Sequence, residues 1–498
     1  MLEDYPRLSA ATRAFFDTPR RMLVGGQWID AAAGATLDVL DPATGRKIAA
    51  APAATAGDVD RAVQAARAAF ETGPWPASTP AQRERLLHKL ADLLDANAQE
   101  LAEIECLDNG KTVAMAKVDV ALAVDFLRYM AGWATKIEGS TVEVPLPALR
   151  GAQTFGYTRR EPVGVVGAII PWNFPLLMAA WKIGPALTCG CTVVLKPAEE
   201  TPLSALRIGA LALEAGYPAG VLNVVTGIGH IAGAALAAHA GVNKIAFTGS
   251  TEVGKLVGKA AIDNMTRVTL ELGGKSPVIV LEDADPAKAA AGAAQAIFYN
   301  HGQVCTAGSR LYVQRARYDD VVGEVAKRAE KMKLGAGMSP DTQMGPLVSE
   351  QQLQRVCGYI ESGKQQGARL VAGGGRFGDT GYYVRPTVFA DVGQHMRVVQ
   401  EEIFGPVLVA MPFDDLDEVA ALANDTPYGL GASIWSNDLS RVHRLIPRLK
   451  AGTVWVNCHN MIMPQLPFGG MKQSGLGREM GRAVLDHYTE TKSVLMAF

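Results

Sequence analysis

The chain has 498 residues, 48% of them hydrophobic and 20% charged, and 48 Lys and Arg against 50 Asp and Glu give a net charge of −2. At about 150 residues per domain this makes roughly three domains, with ample apolar material for their cores. A near-neutral chain without blocks of like charge lacks the electrostatic footprint of a nucleic-acid binder, and the high apolar fraction excludes intrinsic disorder.

Six cysteines, Cys106, Cys189, Cys191, Cys305, Cys357 and Cys458, are too few and too scattered for a disulfide framework. Met1 to Ala10 carries Glu3 and Asp4 and no apolar core, so it does not read as a secretory signal. Val163–Trp181 is 19 residues without a charge, long enough to cross a bilayer. Pro171, Asn173 and Pro175 in its middle would leave a lone spanning helix with unsatisfied backbone groups. The stretch therefore reads as buried strand, loop and buried helix, and a cytoplasmic protein with no membrane partner is expected.

Met22–Ile29 and Thr36–Asp41 are the first strand candidates, around Gly25-Gly26 and before Pro42. From Asp58 to Tyr129 the pattern turns helical, with Val59, Val63 and Ala66, then Leu86, Leu87, Leu90, Leu93 and Leu94, as apolar stripes that read as helix packing. Gly139–Pro162 is polar and strand-like, Val142, Val144, Phe155 and Tyr157 alternating with polar or small residues, and reads as a projecting hairpin. Then short β-branched runs (Val163–Ile170, Thr192–Lys196, Val221–Val225, Lys244–Thr248, Val268–Leu272) alternate with helical segments Leu176–Thr188, Pro202–Ala215, Ile231–His239 and Val253–Asn264. Strand, helix, strand at this spacing predicts a parallel sheet buried on both faces. A second such region runs from Ser276 to Asn457, with strands at Pro277–Leu281, Arg310–Val313, Val407–Pro412, Ala432–Trp435 and Thr453–Asn457. Two α/β domains are predicted.

The phosphate-binding P-loop needs a glycine five residues before Gly-Lys-Ser/Thr, and the two candidates place Thr269 and Glu105 there. NTP hydrolysis loses its main support. Gly227-x-Gly229 nearly meets the dinucleotide fingerprint, but its third glycine, Gly233, comes one residue late and an ordinary turn would explain it. Gly249-Ser250-Thr251-Glu252-Val253-Gly254 follows a buried strand and opens a helix, which suits a phosphate on free amides or a plain Ser250 or Thr251 N-cap equally well. Glu199, just after the strand ending at Lys196, is either a ribose-binding carboxylate or a solvated loop acid.

Cys305 stands in Asn300-His301-Gly302-Gln303-Val304-Cys305-Thr306, a polar setting unlike that of a structural cysteine. Cys106 and Cys357 occupy bland helical positions, and Cys189 and Cys191 are placed to face opposite sides of a strand. Cys458 beside His459 is the rival nucleophile, and His301 near Cys305 leaves a Cys-His hydrolase open. Glu271-Leu272-Gly273-Gly274-Lys275 ends a buried strand on a carboxylate, either paired with a lysine or held in a cleft as a general base.

Together these residues carry a resemblance. From about Leu23 to the C-terminus the sequence resembles the aldehyde dehydrogenase superfamily. Its motifs stand in the family's order: Pro171-Trp172-Asn173-Phe174-Pro175, Lys196-Pro197-Ala198-Glu199, Phe247-Thr248-Gly249-Ser250-Thr251, Glu271–Lys275, Gly302–Cys305, Glu401-Glu402-Ile403-Phe404-Gly405-Pro406 and Pro467-Phe468-Gly469-Gly470-Met471-Lys472. The C-terminal region looks most like phenylacetaldehyde dehydrogenases.

The resemblance implies Cys305 as nucleophile, Glu271 as general base, Asn173 as oxyanion donor, and Lys182 and Glu479 as a possible proton relay. It implies NAD, with Lys196 and Glu199 at the adenosine ribose, Trp172 and Ser250 at the pyrophosphate, and Glu402 and Phe404 at the nicotinamide end. Gly249 would belong to the same cofactor site, and Gly227 and Gly254 would contribute backbone approach rather than specific contacts. The substrate pocket would be Phe174, Leu177, Met178, Trp181, Val304, Thr306, Asn460, Ile462 and Phe468. That lining is apolar and aromatic without a positive side chain, which favours an uncharged hydrophobic aldehyde such as phenylacetaldehyde. Broad-specificity aliphatic oxidation, a coenzyme-A-acylating reaction and a non-catalytic scaffold are the alternatives. The implied fold is α/β: a Rossmann-like NAD-binding domain (residues 1–138 and 163–272), a catalytic domain (273–480) and an oligomerisation element (139–162 and 481–498). A homodimer or homotetramer without a catalytic metal follows.

Overall fold

The computed structural model describes residues 5–144 and 153–498. An eight-stranded sheet is built around the parallel strands Arg267–Glu271, Lys244–Thr248, Val165–Ile169, Thr192–Lys196 and Leu222–Val224, side by side in that order. Every residue of Val165–Ile169 and Thr192–Lys196 is buried, because helices cover both faces. The Met22–Val24 and Gln27–Ile29 hairpin extends one edge, and Gly475–Leu476 closes the other beside Glu271. The uncharged stretch at Val163 resolves as anticipated: strand Val165–Ile169, a loop through Asn173, then the fully buried helix Pro175–Cys189.

A seven-stranded sheet holds the parallel strands Thr387–Ala390, Val407–Phe413, Arg310–Gln314, Pro277–Val280, Gly431–Trp435 and Thr453–Val456, with Arg369–Ala372 antiparallel at one edge. Gly139–Pro162 contributes Thr141–Val142 and Thr154–Pro162, paired antiparallel, and Thr154–Pro162 pairs along its length with the C-terminal strand Thr489–Ala497. The expected hairpin's tip, 145–152, lies outside the described residues.

Two expectations need correction. Cys189 and Cys191 do not share a strand: Cys189 ends the helix, Gly190 caps it at φ 91°, and Cys191 precedes the next strand. The helix expected over Ile231–His239 is a π turn, Gly229–Gly233, followed by the four-residue helix Ala234–Ala237. Two glycines in one turn weaken the regular α-helical ladder there. Among the described residues no helix is long and apolar enough to cross a membrane.

Candidate active site

In a parallel sheet the helices cover the faces, so a ligand has room only beyond the carboxyl ends of the strands. That end carries the motifs here. Val165–Ile169 runs out into Trp172 and Asn173, Thr192–Lys196 into Glu199, Lys244–Thr248 into Gly249 and Ser250, and Arg267–Glu271 terminates on Glu271 itself. A cleft of about 750 Å³ opens there, with Cys305 and Glu271 in its wall.

The Cys305 loop is held in a strained shape. Asn300 and His301 both adopt left-handed backbone angles, φ 45° and 59°, and a Cβ on Gly302 would lie 2.2 Å from the Gly405 carbonyl oxygen. Such conformations persist only when the surroundings fix them. Asn300 Nδ2 donates to the Asn173 carbonyl at 3.0 Å, and Asn173 Nδ2 donates to the Gln303 carbonyl at 2.9 Å. The buried Gln303 in turn accepts from the Val348 amide at 3.0 Å. Asn173 is thereby tied to the Cys305 loop through one N–H, which leaves its second N–H uncommitted.

The two rival arrangements fail on geometry. His459 uses both ring nitrogens, Nδ1 with the Ser433 hydroxyl and Nε2 with the Thr306 carbonyl, each at 2.8 Å, so it has no nitrogen left to activate Cys458. His301 is absent from the wall of the cleft that holds Cys305 and packs instead against Gln303 and Gly345, where burial lowers its pKa to about 3.

Glu271 is 3% exposed and neither carboxylate oxygen has a hydrogen-bond partner, so the lysine-paired reading does not hold. Burial, and then the neighbouring Glu479, raise its pKa well above the usual carboxylate value. Gly469 makes room for it, since a Cβ there would sit 2.8 Å from Glu271 Oε1. The lysine instead pairs with Glu479: Lys182 Nζ contacts Glu479 Oε1 and donates to the Thr248 hydroxyl at 2.7 Å. Cys305 is a thiol in the free chain, pushed up to about 12 by burial, then by Glu402 and Glu271.

Trp172, Gly249, Ser250, Glu402 and Phe404 line the same cleft. Ser250 caps the helix Thr251–Ile262 through Val253 N at 3.3 Å, so the capping role is real and the helix N-terminus still faces the cavity. Trp172 and Phe404 meet edge-on, centroids 5.2 Å apart. Glu402 Oε1 accepts from Gly274 N at 2.9 Å, and a Cβ on Gly273 would collide with its other oxygen at 2.2 Å. Lys196, Glu199, Gly227 and Gly254 lie outside this cavity. Glu199 is bound by Lys196 Nζ and by the Gly229 amide, each at 3.1 Å. Burial works against its charge, but those two partners outweigh it and hold the carboxyl below its ordinary value.

Phe174, Leu177, Met178, Trp181, Val304, Thr306, Asn460, Ile462 and Phe468 all line the cleft. Thr306 donates to Asn460 Oδ1 at 2.7 Å, so neither is a free polar group. The sequence reading missed Asp119, Tyr299, Met461 and Met463, which line it too. Asp119 is held by Lys111 at 2.6 Å, and Tyr299 stacks on Phe174 at 6.3 Å. No local motif marks Asp119; only the packing of Val113–Ala131 against Pro175–Cys189 brings it to the wall. Among the described residues no group of three or more His, Cys, Asp or Glu is placed to hold a metal ion.

A fold of two α/β sheets with a half-buried cysteine and an unpartnered carboxylate in one cleft defines a class, and the family model confirms it: the chain matches the aldehyde dehydrogenase family over residues 28–494 and belongs to that family. It is 53% identical to phenylacetaldehyde dehydrogenase of Pseudomonas fluorescens over 483 residues, 96% of each chain. It is 50% identical to an aldehyde dehydrogenase of Emericella nidulans over 480 residues, 96% of this chain and 95% of that one. Among solved structures, the NAD+ complex of the Bacillus cereus aldehyde dehydrogenase superposes with a TM-score of 0.96 at 50% identity, covering 98% and 99% of the two chains.

Proposed function

We propose that this chain oxidises an uncharged hydrophobic aldehyde, with phenylacetaldehyde as the lead substrate, to the carboxylic acid through a thioester on Cys305. As a member of its family it is an NAD-dependent aldehyde dehydrogenase, and the aldehyde is the open choice. The observation that carries the reading is the wall beside Cys305: Phe174, Trp181 and Phe468 form an aromatic surface with Leu177, Met178 and Ile462. Trp181 meets Phe468 at 5.6 Å. Burying an aryl ring there gains roughly 25 cal/mol per Å² of apolar surface removed from water.

The residues fit NAD. Glu199 is a carboxylate positioned for ribose hydroxyls and repels a 2′-phosphate, the helix N-terminus at Ser250 suits a pyrophosphate, and Glu402 and Phe404 suit the nicotinamide ribose and ring. When bound, NAD supplies the hydride acceptor that turns the thiohemiacetal into a thioester. The protein's part is as follows. Cys305 gives up its proton to solvent in the open cleft, and its sulfur attacks the carbonyl carbon. The Cys305 amide and the second N–H of Asn173 receive the oxyanion. After the hydride has left, Glu271 takes a proton from water, the hydroxide oxygen adds to the thioester carbon, and the C–S bond breaks to release acid and restore Cys305. Lys182 and Glu479, whose charges act on Glu271 through space, are the groups assigned to relay its proton.

A broad-specificity aliphatic dehydrogenase is the second reading, favoured by the cleft mouth, where Met461 and Met463 are 64% and 50% exposed and adapt to varied apolar chains. A panel of phenylacetaldehyde, hexanal and succinate semialdehyde, followed by NADH absorbance, decides between them. Phenylacetaldehyde should give the highest kcat/KM and the semialdehyde the lowest, and Cys305→Ala should abolish turnover. Equal values for phenylacetaldehyde and hexanal would favour the second reading, and a faster semialdehyde would overturn both. We also propose a homodimer or homotetramer in the cytoplasm, supported by the paired strands Thr154–Pro162 and Thr489–Ala497 and the apolar residues they expose.

A further inference from the structure

Away from the cleft, the strands Pro277–Val280, Arg310–Gln314 and Gly431–Trp435 begin beside a second, much smaller cavity with room for one small occupant. Its wall includes Lys275, Arg310, Asn424, Tyr428 and Lys450. Lys275 is 2% exposed, and its ammonium has no hydrogen-bond partner. Arg310 is fully buried and spends its donors on carbonyls and a hydroxyl: Lys275 O at 2.8 Å, Leu422 O at 3.2 Å, Ala423 O at 2.7 Å and the Tyr312 hydroxyl at 3.1 Å. Lys472 adds positive charge nearby, bound to the carbonyls of Asn424 at 3.0 Å and Thr426 at 2.6 Å. Glu401, Glu402 and Asp425 act on these cations through space, but none bonds to Lys275 or Arg310.

An unpaired buried ammonium is unfavourable, and a second cation beside it makes it more so. Deprotonation is one escape: burial, then Arg310, lower the Lys275 pKa to about 7. A counter-ion is the other. A water in the cavity would accept one N–H yet leave both cations with only the through-space field of Glu401, Glu402 and Asp425, whereas a small anion answers the hydrogen bond and the charge together. We propose that this cavity binds a small monovalent inorganic anion of chloride size, held by the Lys275 ammonium in the field of Arg310. The small volume favours a monatomic ion over phosphate or a carboxylate ligand. Tyr428 lines both this cavity and the active-site cleft, and Lys275 directly follows Gly274, whose amide holds Glu402. The anion therefore sits behind the Glu402 carboxylate, one side chain from the cofactor cleft.

Crystals of the full chain soaked in sodium bromide should show an anomalous peak beside Lys275 Nζ. In solution at fixed ionic strength, sodium chloride and bromide should raise Tm by a few degrees, saturably, relative to sodium gluconate. Lys275→Met should remove the halide-specific part of that rise. If this variant does not fold, Lys275→Gln takes its place, and the bromide peak stands as the independent readout. Bromide found at surface lysines only would be an adventitious ion and would overturn the proposal, as would an unchanged halide response in the Lys275 variant. Neither readout depends on the aldehyde, so its failure leaves the dehydrogenase reading untouched.

Discussion

At the residue scale the proposed chemistry turns on Glu271 and Cys305, two groups whose charge is suppressed by burial. Glu271 acts as a base only when ionised, and its pKa is raised. Thioester hydrolysis should therefore fall as pH drops through that raised value, well above the range of an exposed carboxylate, and rise above it. Glu271→Gln should keep the first NADH burst, stall the steady state and erase this pH limb, all visible in stopped-flow absorbance. Burst and steady state falling together would mean that Glu271 acts earlier. Glu199 answers a different question. Its pKa is lowered, and on the proposed assignment to the adenosine ribose that negative charge would face a 2′-phosphate, where like charges repel. NAD should be preferred over NADP by kcat/KM on one aldehyde, and Glu199→Gln should narrow the ratio several-fold; equal wild-type values would contradict the assignment.

At the scale of elements, legibility followed burial. Thr36–Asp41, Thr192–Lys196 and Lys244–Thr248 have the bounds their residue patterns indicate, since turn residues bracket a short β-branched or alternating run. Arg369–Ala372 and Thr387–Ala390 went unread: each has only four residues, and the first is a largely exposed edge strand with no periodic signature. The motif residues were legible through order along the chain, whereas Asp119 and Tyr299 reach the cleft only through helix packing that no local pattern encodes. Gly254 shows how packing serves the site. A Cβ there would meet Leu272 Cδ2 at 2.3 Å, so an added methyl would have to displace the Leu272 side chain or push the helix Thr251–Ile262 away from the strand bearing Glu271. Gly254→Ala should cost about 1–3 kcal/mol through overpacking. Because the Ser250 end of that helix moves with it, KM for NAD should rise while the aldehyde KM changes little. A lower Tm with an unchanged NAD KM would show that the contact serves stability alone.

At the scale of the whole molecule, two apolar surfaces stand uncovered. The helix Thr251–Ile262 shows Val253, Leu256 and Ile262, with Met265 just beyond it and Leu476 on the neighbouring edge strand. The paired strands Thr154–Pro162 and Thr489–Ala497 expose Phe155, Leu495 and Met496, with Phe498 at the chain end. Soluble monomers seldom leave such groups in water, and a second copy of the chain is the occupant that an oligomer supplies. Leu256 is 65% exposed and Leu495 52%, so a charged residue at either is tolerated by the isolated fold and disfavoured only where a partner covers it. Leu256→Glu and Leu495→Glu should each lower the mass measured by light scattering while leaving far-UV circular dichroism unchanged. If one variant gives a dimer and the double variant a monomer, the two surfaces belong to separate interfaces of a tetramer. Wild-type mass retained in the double variant would mean that neither surface assembles the protein.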